Sequence, residues 1–349
     1  MKPVPCRLEP QFVPRVWGAH SLAPLYPDKT NLAEPIGEVW LTGNDCTFAD
    51  GPCAGLRLAD AWRAMPPEWA GTRLDTSKPF PLLVKFLFPE DILSIQVHPD
   101  DEYARTHEAH TGWTGKTEMW YAVAARPGAQ VLVGLKPDVT PDSFRRAIAD
   151  GSAESCLTRI PATAGDTVFV PAGTVHTIGP GLVLCEIQQN SDLTYRVFDY
   201  HRPGLDGKPR PLHIEKALTV TRFGKQLGGK LPGLRLIGQG CTQTFHVVCP
   251  YFATESWELS TSMEPDTTRE NFQLLVLLDG QGTLQWESEQ TDYAGAQVWL
   301  IPAALEYRIS PSSPTRLLRT YLPDVQRVAR QLESRGAGGA ARLGFVFRR

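Results

Sequence analysis

Apolar residues in this chain gather in short runs of about four to eight, bounded by Gly, Pro, Asn or Asp, the rhythm of β-strands rather than helices. Residues 93–98, Leu-Ser-Ile-Gln-Val-His, alternate with period two. Leu93, Ile95 and Val97 therefore share one face, and Ser94, Gln96 and His98 the other. A solvent-facing row would carry Lys, Glu or Thr; a serine, an amide and an imidazole suit the polar inside of a barrel. Residues 184–190 alternate in the same way and put Glu186, Gln188 and Asn190 on one face. Residues 82–87, Leu-Leu-Val-Lys-Phe-Leu, read as a strand buried on both faces, with Lys85 as its one charge. Residues 36–41 predict a further strand, with Glu38 read as an edge-strand carboxylate in preference to a functional one, and residues 274–286 predict a hairpin turned at Asp279-Gly280-Gln281-Gly282. Helical spacing is confined to residues 58–65, stopped by Pro66-Pro67, to 100–108 behind the capping Asp100, to pieces of 141–157, and to 323–334.

The most constrained stretch is 165–176, Gly-Asp-Thr-Val-Phe-Val-Pro-Ala-Gly-Thr-Val-His. A four-residue strand ends at Pro171, which stops ladder pairing; Gly173 supplies the positive φ of a tight turn. The chain then re-enters a strand carrying His176, and so rigid a turn fixes where the imidazole points. Residues 295–307 repeat this pattern with Pro302 in the place of Pro171 and Tyr307 in the place of His176. The chain is thus expected to be mainly β, with a first barrel over 1–225 (helical insertion about 137–160), a degenerate second barrel over 226–325 behind a Gly/Lys-rich linker, and a helix with a loose tail over 326–349.

Composition narrows the partners. The 349 residues carry a net charge of −3 and no clustered basic stripe, which disfavours nucleic acid and anionic membranes. The first residues lack the apolar core of a secretory signal, and no apolar run is long enough to span a bilayer. Seven cysteines without a C-x-x-C pair read as reduced, mostly buried thiols, so a cytoplasmic location is expected.

Candidate chemistry follows from the inward faces. Gln96, His98, Glu118 and His176 are four inward-pointing donors, and two imidazoles with a carboxylate make a good divalent-metal site. Lys85 needs an anionic partner, either a bound phosphate or a neighbouring carboxylate. His107 and His110 read as a solvated helix end.

The spacing G-x5-P-x-G-x2-H of residues 165–176 is similar to the second signature of the cupin β-barrels. Residues 94–101 (Ser-Ile-Gln-Val-His-Pro-Asp-Asp), 116–120 (Lys-Thr-Glu-Met-Trp), 171–176 and 190–197 (Asn-Ser-Asp-Leu-Thr-Tyr-Arg-Val) resemble one cupin family more closely, the type I phosphomannose isomerases. The likeness runs from about residue 12 to 218, and the compact length resembles the family's short bacterial branch. Gln96 in place of the general cupin's first histidine, and the distant Glu118, are that family's own pattern. The resemblance implies tandem cupin (jelly-roll) barrels and one zinc ion on Gln96, His98, Glu118 and His176. It further implies an essential Arg196, a phosphate held by Ser94, Lys85 and Arg202, and Glu186 and Lys116 lining the pocket. The activity it implies is interconversion of mannose 6-phosphate and fructose 6-phosphate through a cis-enediol; for that proton transfer Glu186 is the first choice as base and Lys116 the second, with Glu186 alternatively a salt-bridge partner of Lys116 or Arg196. Two alternatives are an iron cupin oxygenase and a non-catalytic cupin that binds sugar phosphates. Oligomeric state is left open.

Overall fold

The computed structural model describes residues 2–225, 227–335 and 344–347. The expected tail over 336–343 therefore lies outside the described residues. Four antiparallel sheets form two sandwich-like barrels. The first barrel pairs a seven-stranded sheet with a five-stranded one. In the larger sheet the strands Gly229–Leu231, Thr167–Val170, Glu118–Ala125, Leu182–Gln189, Leu82–Leu87, Ile36–Trp40 and Gln11–Ala19 lie side by side in that order. In the smaller the order is Tyr195–Phe198, Ile95–Val97, His176–Ile178, Gln130–Leu135 and Leu157–Pro161. The second barrel is built likewise from a seven-stranded and a three-stranded sheet. Among the described residues no helix is long and apolar enough to cross a membrane.

The two seven-stranded sheets stand back to back. Val84, Phe86, Met119, Tyr121 and Ile187 from one meet Leu274, Val276, Leu300 and Leu318 from the other in one buried cluster. This explains the mostly apolar runs at 82–87 and 274–278, whose strands are covered on both faces. The five-stranded sheet turns Ile95, Val97 and Leu132 outward onto the helices Pro141–Ala149 and Ile214–Val220 through Phe144, Ile148 and Ala217. Gln96 and its neighbours are thereby left facing inward.

The second barrel repeats the first down to the register. Thr167–Val170 pairs with Glu118–Ala125 as Val298–Ile301 pairs with Gln273–Asp279, so Gln273 stands opposite Ile301 as Glu118 stands opposite Val170. Gly165 and Gly173 have φ of 89° and 85°; at the matching places Ala296 and Ala304 hold φ of 64° and 58°. The backbone turn survives there without glycine, at a steric cost of about 1–2 kcal/mol per residue. Gln273 and Tyr307 occupy the places of Glu118 and His176, and Tyr307 donates its hydroxyl to Gln273 Oε1 at 3.2 Å. The cross-strand pair Lys85 and Glu186 is matched by Glu255 and Arg319, with the charges exchanged.

Several expectations need correction. Residues 274–286 are no hairpin: Gln273–Asp279 and Gln281–Trp286 lie in different sheets, and Gly280, at φ 85°, carries the chain between them. The stretch read as a linker contributes the strand Gly229–Leu231, which pairs with Thr167–Val170. Strict alternation holds only over Ile95–Val97; Leu93 precedes that strand and packs with Trp17 and Trp120 inside the barrel. Leu157–Pro161, at the end of the expected helical insertion, is a strand of the smaller sheet. Glu38 is not on an edge, because Gln11–Ala19 covers its strand.

Candidate metal centre and active-site cavity

His176 and Gln96 are direct cross-strand partners, and Gln96 is in turn opposite Arg196. Three functional side chains thus come from one row across the smaller sheet. The turn that aims His176 is clamped from both sides: Gly173 N–H donates to the His98 carbonyl at 2.8 Å, and Ala172 N–H to Thr117 Oγ1 at 3.3 Å. A Cβ at position 173 would lie 2.8 Å from Arg222 Cγ and 3.0 Å from the Val220 carbonyl oxygen, so glycine is required for space as well as for φ.

From the facing sheet, Glu118 projects between the two imidazoles. His98 Nε2 lies 3.3 Å from Glu118 Oε1 and His176 Nε2 lies 3.6 Å from Glu118 Oε2, with all three side chains at most 1% exposed. Each histidine donates its Nδ1–H to a backbone carbonyl, His98 to Leu193 and His176 to Thr174, both at 2.8 Å. That fixes the tautomer and leaves a lone pair on each Nε2. Gln96 brings its amide within 3.3 Å of His176 Nε2. Lys116 Nζ stands 2.8 Å from Glu118 Oε1, yet neither carboxylate oxygen receives a well-aligned hydrogen bond.

A buried carboxylate lacking such bonds, faced by two unprotonated imidazole nitrogens, is an arrangement a divalent cation satisfies. The donor atoms of His98, Glu118 and His176 lie within 4.8 Å of one another, the one such group among the described residues. Electrostatics agree. Burial, aided by Lys116, pushes His98 down to about 4 and lowers His176 as well, so both stay neutral as ligands. Burial alone would raise Glu118, but the Lys116 ammonium beside it outweighs that and holds the carboxyl well below the usual range.

A cavity of about 570 Å³ opens from this centre to solvent. Gln96, Lys116, Ser94, Lys85, Glu186 and Arg196 line it, so six of the expected site residues meet there. Lys85 Nζ is paired with Glu186 Oε2 at 2.9 Å, both side chains 6% exposed, and Trp120 Nε1–H donates to Glu186 Oε1 at 2.9 Å. The partner of Glu186 is thus Lys85 rather than Lys116 or Arg196. Arg202 is absent from the cavity wall; it is tied to Asp91, Asp199 and the Ile92 carbonyl. Arg210, doubly bonded to the same Asp199, lines the wall. Arg210, Asp192, His213 and Arg15 line the cavity without having been singled out from the sequence, and Glu38, set down there as an edge-strand carboxylate in preference to a functional one, lines it too. For Glu38 a signal existed, since a carboxylate two residues from Trp40 on a strand shares that tryptophan's face. His107 and His110 are exposed, as expected of a solvated helix end.

Residues 6–125 match the family Phosphomannose isomerase type I, catalytic domain. The chain is 35% identical over 290 residues to a mannose-6-phosphate isomerase of Streptococcus mutans, covering 82% of this chain and 88% of that protein. It is 34% identical over 306 residues to a probable mannose-6-phosphate isomerase of Bacillus subtilis, covering 86% and 93%. The solved mannose 6-phosphate isomerase from Bacillus subtilis superposes with a TM-score of 0.83 at 30% identity, over 90% of this chain and 99% of that one. A zinc-bound holo mannose 6-phosphate isomerase shares the fold, with a TM-score of 0.70 at 16% identity over 91% and 99%. Kinship at this level over four fifths of the sequence, joined to a cupin barrel with its metal donors gathered inside, places the chain in the type I phosphomannose isomerase family.

Proposed function

We propose that the protein is a zinc-dependent aldose–ketose isomerase interconverting mannose 6-phosphate and fructose 6-phosphate. The observation that carries this reading is the buried Glu118 carboxylate, set between two neutral imidazoles at the end of a polar cavity. Gln96, His98, Glu118 and His176 would hold the ion, which supplies Lewis acidity toward the sugar's carbonyl oxygen.

The protein side chains supply the rest. The reaction moves a proton between C2 and C1 of the open-chain sugar through a cis-enediol. Arg196, next to Gln96 across the strands, is permanently cationic and offsets the negative charge that develops on the sugar oxygens. Glu186 carries the proton between the two carbons. Its Oε2 accepts from Lys85 and its Oε1 from Trp120, so one of these bonds is released as the proton is taken up. Lys116, 2.8 Å from Glu118 Oε1, sits where it can orient the sugar's hydroxyls beside the metal ligands. Trp17, Leu87, Leu93 and Ile178 form the apolar part of the wall and limit water near the reacting carbons.

A coupled assay of mannose 6-phosphate conversion, with chelator added and zinc then restored, tests the proposal. Turnover that ignores the chelator would defeat it, as would a metal-loaded protein that binds the sugar phosphate without converting it. An iron requirement would point instead to the oxygenase alternative.

A further inference from the structure

The sheet that carries Glu118 also carries a row of charges. On five adjacent strands stand Glu118, Glu186, Lys85, Glu38 and Arg15, in that order. The register is staggered by two residues between Glu118 and Glu186, between Lys85 and Glu38 and between Glu38 and Arg15, so the row runs diagonally away from the metal centre. With the sugar's C1–C2 end at the metal, a phosphate on C6 lies away from it, on the side of the cavity that Arg15 lines.

Both lysines of the cavity sit in fully buried pairs, with no exposed donor left for that phosphate. Lys85 is committed to Glu186 at 2.9 Å, and Lys116 stands beside Glu118 at 2.8 Å. The mouth is different. Arg15 lines the cavity from the outermost strand, where the register slips on both sides of Pro14, and such an irregularity re-aims a side chain. Its guanidinium bonds Glu38 Oε2 at 3.0 Å and the Pro14 carbonyl at 3.1 Å, and the side chain is 33% exposed. Across the opening, on the edge strand of the smaller sheet, Arg196 has, among the described residues, only the Pro211 carbonyl as side-chain hydrogen-bond partner, at 2.9 Å, and its buried Nε has none. Arg210 is the third guanidinium of the rim. These charges feel one another: burial first, then Arg210 and more weakly Arg202 and Arg15, hold Arg196 below its ordinary value. Arg196 is thus a partly buried guanidinium without a carboxylate partner, and Arg15, though paired with Glu38, is a third exposed and keeps N–H donors to spare, so an anion held between them is stabilised by both.

We propose that Arg15, acting across the mouth from Arg196 and Arg210, is the residue that receives the substrate's phosphate, and that the Lys85–Glu186 pair is not the phosphate site. The identity of the ligand rests on the isomerase reading; the existence of an anion site at Arg15 does not.

The test is calorimetric titration of inorganic phosphate into the zinc-loaded protein, followed by steady-state kinetics with mannose 6-phosphate. A charge-assisted hydrogen bond contributes about 1.5–3 kcal/mol, so Arg15→Gln should weaken phosphate binding roughly 10- to 100-fold and raise KM for mannose 6-phosphate in proportion. Arg15→Lys should recover part of that loss, as a merely structural role would not. The paired variant Lys85→Met/Glu186→Gln should keep phosphate affinity within about threefold, because it removes two charges that already cancel. Should Arg15→Gln fail to fold, the graded loss in Arg15→Lys carries the test. Absence of phosphate binding in the parent protein, unchanged affinity in both Arg15 variants, or loss of affinity only in the paired variant would overturn the proposal. Phosphate binding that depends on Arg15 in a protein with no isomerase turnover would uphold this site while refuting the proposed activity.

Discussion

Glu38 is the least expected member of the cavity, and its removal gives the sharpest stability test. Its Oε2 accepts from Trp40 Nε1 at 2.6 Å and from Arg15 at 3.0 Å. Burial would raise this carboxyl, but Lys85 and Arg15, with the Trp40 hydrogen bond, hold it at about 2 against an ordinary 4.5. At 1.36 kcal/mol per pH unit, that preference for the ionised form is worth roughly 3 kcal/mol at pH 7. Solvent reaching the 13%-exposed side chain trims it toward about 2 kcal/mol. Because the folded-state value is depressed, the stabilisation is complete above the unfolded value near 4.5 and is lost as pH falls from there through about 2. Glu38→Gln should therefore lower unfolding stability by about 2–3 kcal/mol in urea titrations at pH 7. The gap from the parent should narrow to less than half by about pH 3. A gap below about 0.5 kcal/mol, or one that stays constant between pH 7 and pH 3, would show that the carboxylate is not held by these cations.

Other expectations follow from the same geometry. Arg196→Ala should keep its metal, measured by elemental analysis, and lose at least about 100-fold in kcat/KM, since it removes a charge that offsets the one developing on the sugar oxygens. His98→Ala should instead lose the metal, with activity falling in step with the zinc content. Gly173→Ala should destabilise by about 1–2 kcal/mol and weaken zinc retention, because its φ is 85° and the added methyl meets Arg222. Ala304→Gly, at the matching turn of the second barrel, should stabilise by a few tenths to about 1 kcal/mol in thermal melts, because Ala304 holds φ 58° at a steric cost.

Much of this site was legible because strands obey a period of two and the metal ligands sit on strands or at their ends. Gln96 and His98 could be put on one face before any coordinates, and the Pro-Ala-Gly turn dictated a fixed His176. Adjacency across strands was not legible. Nothing in the run of residues 82–87 says that Lys85 will stand beside Glu186, since register is set by neighbouring strands more than a hundred residues away in the case of Leu182–Gln189. Arg15 was hidden for a related reason: the register slips around Pro14 decide where it points, and they depend on pairing with Ile36–Trp40. Turn chemistry misled once. Asp279-Gly280-Gln281-Gly282 has hairpin composition, yet the flanking strands find better partners in Thr315–Tyr321 and Glu289–Ala294. Lys85 shows a limit of residue-type reasoning: a buried lysine demands an anion, but only the coordinates show that Glu186 supplies one.

The central claim is that a single zinc ion, held between His98, Glu118 and His176, turns this barrel into an isomerase. Zinc titrated into metal-free protein, with conversion of mannose 6-phosphate read at each addition, tests it most directly. Activity should rise from zero to a plateau at one equivalent per chain. Full turnover in the metal-free protein, or none after one equivalent is bound, would contradict it.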